Sequence, residues 1–212
     1  MTDLTLYTHP RSRGRIVRWM LHEVGAEYTS EYLLYGSSMT EAAYKQINPM
    51  GKVPAIRHGD AIITECAAIC AYLADAFPEA GLAPPTDRRA AYYRWMFFAA
   101  GPLEAAITNA ALGVDLKPEQ EAFVGYGHMQ RVLDTLEGAV SGSGWICGDA
   151  FSAADVYVAS QINFGLQFGT IEKRASFEAY AARAIDRDAW REANDLDNAA
   201  MERHGQAESG GS

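Results

Sequence analysis

LTLYTHPRSRGRIVRWMLHEVG, residues 4–25, changes its hydrophobic period once, and that change decides the fold. LTLYT (4–8) is short and rich in β-forming residues, whereas from Arg13 onward Ile16, Val17, Met20, Leu21 and Val24 recur at helical spacing until Gly25, a good C-terminal cap. YTSEYLLY (28–35) returns to strand composition. Two parallel strands need a crossover between them, and residues 13–24 supply it as a helix. SMTEAAYKQI (38–47) has helical spacing, while VPAIR (53–57) and AIITE (61–65) flank the turn pair Gly59-Asp60 as a hairpin. Helical spacing then resumes from Cys66 to Phe77. The order βαβ-α-ββα predicts a four-stranded mixed sheet with helices on its faces.

At AGLAPPT (80–86) two consecutive prolines and a nearby glycine end any helix, which makes this the domain boundary. Residues 1–79 are thus expected to form an α/β domain, 80–86 a connection, and 87–212 an all-helical domain. Within the latter, Asp87 to Leu112 is helical with a bend at Gly101-Pro102, and Glu119 to Val140 is a second helix closed by SGSG (141–144). FSAADV (151–156) carries a capping box, with Ser152 at the cap and Asp155 three residues on. EAYAARAI (178–185) and WREANDLDNAAMERH (190–204) read as further helices, and QAESGGS (206–212) as a frayed tail.

The 212 residues are 49% apolar, enough for a sizeable core. With 27 acidic against 18 basic residues, nothing draws the chain non-specifically to phosphate backbones, so nucleic acid is not expected as a partner. No run approaches the roughly 18 apolar residues of a membrane span, and no basic segment leads into an apolar stretch at the N-terminus. No membrane association is expected, and a cytoplasmic location is. Three cysteines, none in a C-x-x-C, support neither a disulfide scaffold nor a dithiol motif. Cys66 and Cys70 share a helical face, but no further ligand types gather near them, so no metal site is expected.

Two stretches carry chemistry. NPMGKVPAI (48–56) places Pro54 where a strand should begin, and a proline cannot donate to a central ladder, so backbone there is available to something else. TECAAI (64–69) sets a carboxylate and a thiol at a helix start, where unpaired N–H groups and a partial positive charge collect. Taken alone, Lys52 reads as a solvated loop lysine and Glu65 as an ordinary first-turn carboxylate.

LYTHPRSRGRIVRWMLHEVGAEY, INPMGKVPAI, ITECAAICAYLADAFP and FSAADVYVAS, in that order, resemble a cytosolic glutathione transferase, with bacterial-type, theta- and zeta-like features in the first segment. The resemblance implies a thioredoxin-like N-terminal domain that binds glutathione, a helical C-terminal domain that holds a hydrophobic electrophile, a homodimer, and a cis bond before Pro54. It also implies that glutathione is a co-substrate and that no metal or redox cofactor takes part. A cis Val53-Pro54 bond turns Val53 N–H and C=O outward to pair with the cysteinyl backbone of glutathione. Glu65 then meets the γ-glutamyl ammonium, the helix start and Cys66 meet its carboxylate, and Lys52 reaches the glycyl carboxylate. The family usually has Ser where this chain has Cys66, a weaker donor.

The group that lowers the thiol pKa must lie between the first strand and the first helix, which leaves Tyr7, Thr8 and Ser12. Ser12, in PRSR, matches the serine-using arrangement and is favoured; Tyr7 and Thr8 fall at the tyrosine-using and theta-like offsets. Arg13 occupies the position of the cysteine found in beta-like members, and with Arg11 and Arg15 it forms a cationic cluster that favours an ionised sulfur. A glutathione-dependent isomerase, lyase or dehalogenase would use the same thiolate. A non-catalytic binder of glutathione or an apolar ligand would keep the fold without the chemistry.

Overall fold

Strand β1 (Leu4–Thr8) is buried at all five positions, which requires neighbours on both edges and cover on both faces. The computed structural model describes residues 3–209 and supplies them. Around β1 run β2 (Thr29–Tyr32), β3 (Ala55–His58) and β4 (Ala61–Thr64), in the order β2-β1-β3-β4. β1 is parallel to β2 and antiparallel to β3, and β3 and β4 form the expected hairpin through Gly59, whose φ of 58° suits the turn. The helices of this part are α1 (Gly14–Glu23), α2 (Ala42–Lys45) and α3 (Cys66–Ala76). α1 buries Ile16, Val17, Met20 and Leu21, the stripe its spacing predicts. The helix expected over 38–47 is divided into a 3₁₀ turn, Ser38–Thr40, and the short α2.

Beyond residue 80 the elements of the described residues are helices, apart from an isolated β-bridge between Trp145 and Gly148: α4 (Ala90–Phe98), α5 (Glu104–Ala111), α6 (Met129–Val140), α7 (Ala153–Phe168), α8 (Ala175–Ile185) and α9 (Asp188–Ser209). Between α4 and α5 the bend at Gly101-Pro102 is a π-helical segment, Ala99–Leu103, which absorbs the proline without ending the helical path. The single helix expected over 119–140 is not formed. A 3₁₀ turn, Pro118–Phe123, is followed by Gly127 at a φ of 67°, and α6 starts afresh with the His128 ring capping the Arg131 N–H at 3.2 Å. α7 begins at the predicted capping box. The fully buried Asp155 carboxylate accepts from Ile146 N–H, Ser152 N–H, Ser152 Oγ and the Tyr180 hydroxyl, at 2.6–2.9 Å. These bonds draw its pKa down, but burial outweighs them and raises it.

The chain divides into two compact units, Gly81–Asp186 and Met1–Ala80 together with Arg187–Ser212. Hydrophobic patterning assigns everything after 87 to the helical domain; instead α9 packs along α1. α9 buries Ala193 and Ala200, and a long-range polar contact joins it to α1. Arg18, on the inward face of α1, bonds Asp197 of α9 at 2.9 Å, with side-chain exposures of 2% and 1%. Its remaining N–H groups reach the Tyr28 and Tyr32 hydroxyls and Ser30 Oγ at 3.0–3.1 Å. Burying either charge without the other costs about 3–5 kcal/mol, so the pair favours α9 in this place over one that leaves Arg18 buried alone. Of the tail expected at 206–212, residues to Ser209 continue α9, and 210–212 lie outside the described residues. Among the described residues no helix is long and apolar enough to cross a membrane.

Candidate functional site

Strand register gathers the candidate residues at one edge of the sheet. Thr8 pairs with Tyr32, Tyr7 with Ala55, and Ala55 with Thr64. The last residues of β1, β2 and β4 and the first of β3 therefore lie side by side. α1 starts six residues after β1 and α3 two residues after β4, so both helix N-termini open at the same edge. The Cys66 thiol, 7% exposed, lies 3.7 Å from the Arg13 carbonyl oxygen and ties the two helix starts together.

The loop His9–Arg13 is built from local bonds. Ser12 donates through its backbone N–H and its Oγ to the His9 carbonyl, at 3.0 and 2.7 Å, and its Oγ accepts the Gly14 N–H at 3.0 Å. The His9 ring is buried beside Tyr35, with ring centroids 4.5 Å apart, and its Nδ1 accepts the Arg11 N–H at 3.1 Å. A backbone amide can only donate, so the neutral ring carries its proton on Nε2. Arg15 turns away from the cationic cluster expected from sequence. Its guanidinium bonds the Pro10 carbonyl, Asn194 and Asn198.

The three candidate hydroxyls sit in different surroundings. Tyr7 is 5% exposed and packs with Met39, Tyr44 and Ala55. Burial raises its pKa, with the Glu31 carboxylate adding to the rise. Thr8 is 0% exposed, and its Oγ1 has no hydrogen-bond partner among the described residues. The start of α1 comes so close that a Cβ at Gly14 would overlap this oxygen, which is why a residue without a side chain stands there. Ser12 is half-buried, and Arg13 beside it is exposed.

Residues 52–54 are held from behind. The Val53-Pro54 bond is cis, Pro54 is buried, Val53 half-buried and Lys52 exposed. The registers of β3 begin at Ala55, so Val53 lies outside the ladder. The Lys52 carbonyl accepts from the Tyr44 hydroxyl at 2.6 Å and from Asn48 Nδ2 at 2.8 Å. Burial pushes the Tyr44 hydroxyl up to about 12, so it remains a donor. Sequence reasoning had assigned neither residue a role. Asn48 opens the quoted NPMG turn, where an Asn that accepts the N–H two residues on, here Met50 at 3.0 Å, was the available signal. Glu65 is exposed and has a φ of 65°, the one non-glycine at positive φ among the described residues. Such strain collects where a backbone must be aimed.

The arrangement offers an outward backbone segment at Val53, an exposed carboxylate at Glu65, two helix N-termini suited to anions, and a hydroxyl on the loop between strand and helix. The chain as a whole is similar to known proteins. Residues 12–76 match the family model of the glutathione S-transferase N-terminal domain, and residues 91–182 that of the C-terminal domain. Glutathione S-transferase GstA of Escherichia coli O157:H7 is 31% identical over 118 residues, which span 54% of this chain and 58% of that protein. Glutathione S-transferase Z2 of Arabidopsis thaliana is 30% identical over 176 residues, 76% of this chain and 75% of that one. Among solved structures, the theta class glutathione S-transferase of Xanthomonas axonopodis pv. citri, with glutathione bound, superposes with a TM-score of 0.73 at 25% identity, covering 91% of this chain and 97% of that one.

Proposed function

Since the chain belongs to the glutathione S-transferase family, we propose that it binds glutathione along the edge formed by Val53, Glu65 and the starts of α1 and α3, and ionises its thiol for attack on a hydrophobic electrophile. The Val53 N–H and C=O pair with the cysteinyl backbone of the tripeptide, and Pro54 holds them outward. Glu65 takes the γ-glutamyl ammonium; the first N–H groups of α3, with Cys66 beside them, take its carboxylate. Lys52 takes the glycyl carboxylate. The helical unit, Gly81–Asp186, is the part proposed to hold the electrophile, and the protein is proposed to act as a homodimer in the cytoplasm. Glutathione serves as co-substrate.

Ser12 is the thiol-activating group in this reading. What supports it is access: of the three candidate hydroxyls, Thr8 and Tyr7 are 0% and 5% exposed, while Ser12 is half-buried. Its proton rests on the His9 carbonyl, which also holds the Ser12 backbone N–H. When the hydroxyl rotates to the sulfur, that carbonyl keeps a partner, so the release costs about 1 kcal/mol. A bond to a thiolate contributes about 1.5–3 kcal/mol. The net gain, about 0.5–2 kcal/mol, lowers a thiol pKa of roughly 8.5 by about 0.4–1.5 units. The α1 N-terminus and Arg13 add a further contribution of about 0.3–1 kcal/mol each at exposed positions. Together these bring the thiol pKa from roughly 8.5 to between about 5.5 and 7.7, which raises the thiolate from a few per cent to a substantial fraction at pH 7.

Ser12→Ala tests this. Turnover of a generic aryl halide should fall about tenfold, from loss of about 1.4 kcal/mol. The glutathione KM should hardly change, and the ultraviolet thiolate band of bound glutathione should weaken. Near-normal turnover would move the role to Tyr7 or Thr8, and wild-type protein that binds glutathione without a thiolate band would be a carrier.

A further inference from the structure

We infer that His9 is a positioning residue for thiol activation, acting through the Ser12 loop; this rests on the reading of Ser12 given above. Of the bonds that hold the loop, His9 takes part in three. Its Nδ1 accepts the Arg11 N–H at 3.1 Å, and its carbonyl accepts Ser12 N–H at 3.0 Å and Ser12 Oγ at 2.7 Å. Two more run from Arg15 Nε to the Pro10 carbonyl at 2.9 Å and from the Gly14 N–H to Ser12 Oγ at 3.0 Å.

The first of these bonds has the form of an Asx turn, in which a side-chain acceptor on one residue takes the N–H two residues on. It fixes the Pro10–Arg11 peptide, one residue before the peptide that enters Ser12. The ring that makes it is itself held, being 7% exposed and set against Tyr35. His9 therefore restrains the approach of the chain to Ser12 from one side, while the Gly14 N–H restrains the hydroxyl oxygen from the other at 3.0 Å. An accepted N–H also polarises the Ser12 hydroxyl and makes it the better donor. Without the Arg11 bond, the Ser12 oxygen would sample positions out of reach of the sulfur. Its reach of only about 3 Å makes a small displacement costly in rate.

Asn and Leu at position 9 separate positioning from packing, because they have nearly the same shape and only Asn can close the Asx turn. Both remove the ring from Tyr35. His9→Leu should lower kcat about five- to tenfold, the loss expected when one hydrogen bond that places a reacting group is removed. It should weaken the thiolate band of bound glutathione and leave the glutathione KM within about twofold. His9→Asn should recover most of the turnover and the band. If Leu does not fold, His9→Gln replaces it, with an acceptor one methylene too far to close the same ring; Asn should then exceed Gln. Equal behaviour of Asn and the variant lacking the turn would overturn the inference. In the double variant with Ser12→Ala, His9→Leu should cost nothing further, because it acts through that hydroxyl; additive losses would refute it. Wild-type turnover in Ser12→Ala alone would sink the Ser12 reading and this inference together. A crippled Ser12→Ala beside an unimpaired His9→Leu would sink only the inference.

Discussion

Asp197→Ala strips the partner from a guanidinium that cannot lose its proton. Arg18 is 2% exposed and Asp197 1%, so no water replaces the lost carboxylate without rearrangement. Removing one member of a buried pair costs about 3–5 kcal/mol. Three hydroxyls, of Tyr28, Ser30 and Tyr32, still face the Arg18 N–H groups, which places the expected loss at the low end, about 3 kcal/mol. For a chain of this size that lowers Tm by about 6–12 °C. Differential scanning calorimetry, with near-ultraviolet circular dichroism as a second probe, measures it. Burial outweighs the attraction of Arg18 and raises the Asp197 pKa, so the intact pair is itself no large net stabiliser. Replacing both members, Arg18→Met with Asp197→Leu, should accordingly return the protein to within about 2 kcal/mol of wild type. A single Asp197→Ala change that costs under about 1 kcal/mol would place the pair with exposed ion pairs and refute the reasoning.

Two further outcomes are expected. Cys66→Ser should preserve or lower the glutathione KM in steady-state assays, because a hydroxyl donates better than a thiol at the glutamyl end; lost turnover with intact binding would restore Cys66 as a reactant. Cys147, pushed up to about 11 by burial, should resist carboxymethylation near neutral pH, with a peptide-resolved rate that rises about tenfold per pH unit and levels off only near its titration. The same raised pKa favours the folded state below the unfolded thiol's titration, near 9, and that contribution is lost as pH climbs toward 11. Full alkylation of native protein at pH 7 within minutes would contradict both.

The parts legible in the sequence were those governed by neighbours along the chain. β1 and α1 follow from one change of period, the hairpin from a glycine turn, and the start of α7 from Ser152 and Asp155 three residues apart. Val53, Glu65 and Cys66 were assigned to glutathione by resemblance, and the register pairs Ala55 with Thr64, each one or two residues from them in the chain. Less visible was anything that depended on partners distant in sequence or on a single hydrogen. Nothing near Arg18 in the sequence signals the partner that it is buried against, Asp197, 179 residues away. The double acceptance at the Lys52 carbonyl needs Tyr44 and Asn48 turned inward together, which periodicity does not encode. The resting bond of the Ser12 hydroxyl to the His9 carbonyl depends on the local path of the chain, for which PRSR holds no pattern.

The return of α9 to α1 makes the first unit discontinuous in the chain, and this has a consequence for biosynthesis. Residues 1–80 leave the ribosome first, yet Asp197 is polymerised 117 residues after Ala80. At elongation rates of about 5–20 residues per second, that interval is about 6–23 s. Throughout it the nascent sheet and α1 exist without the carboxylate that makes burial of Arg18 tolerable, and Gly81–Asp186, although made later, has all of its own sequence first. The unit whose first residues are translated earlier is thus the one whose sequence is completed later.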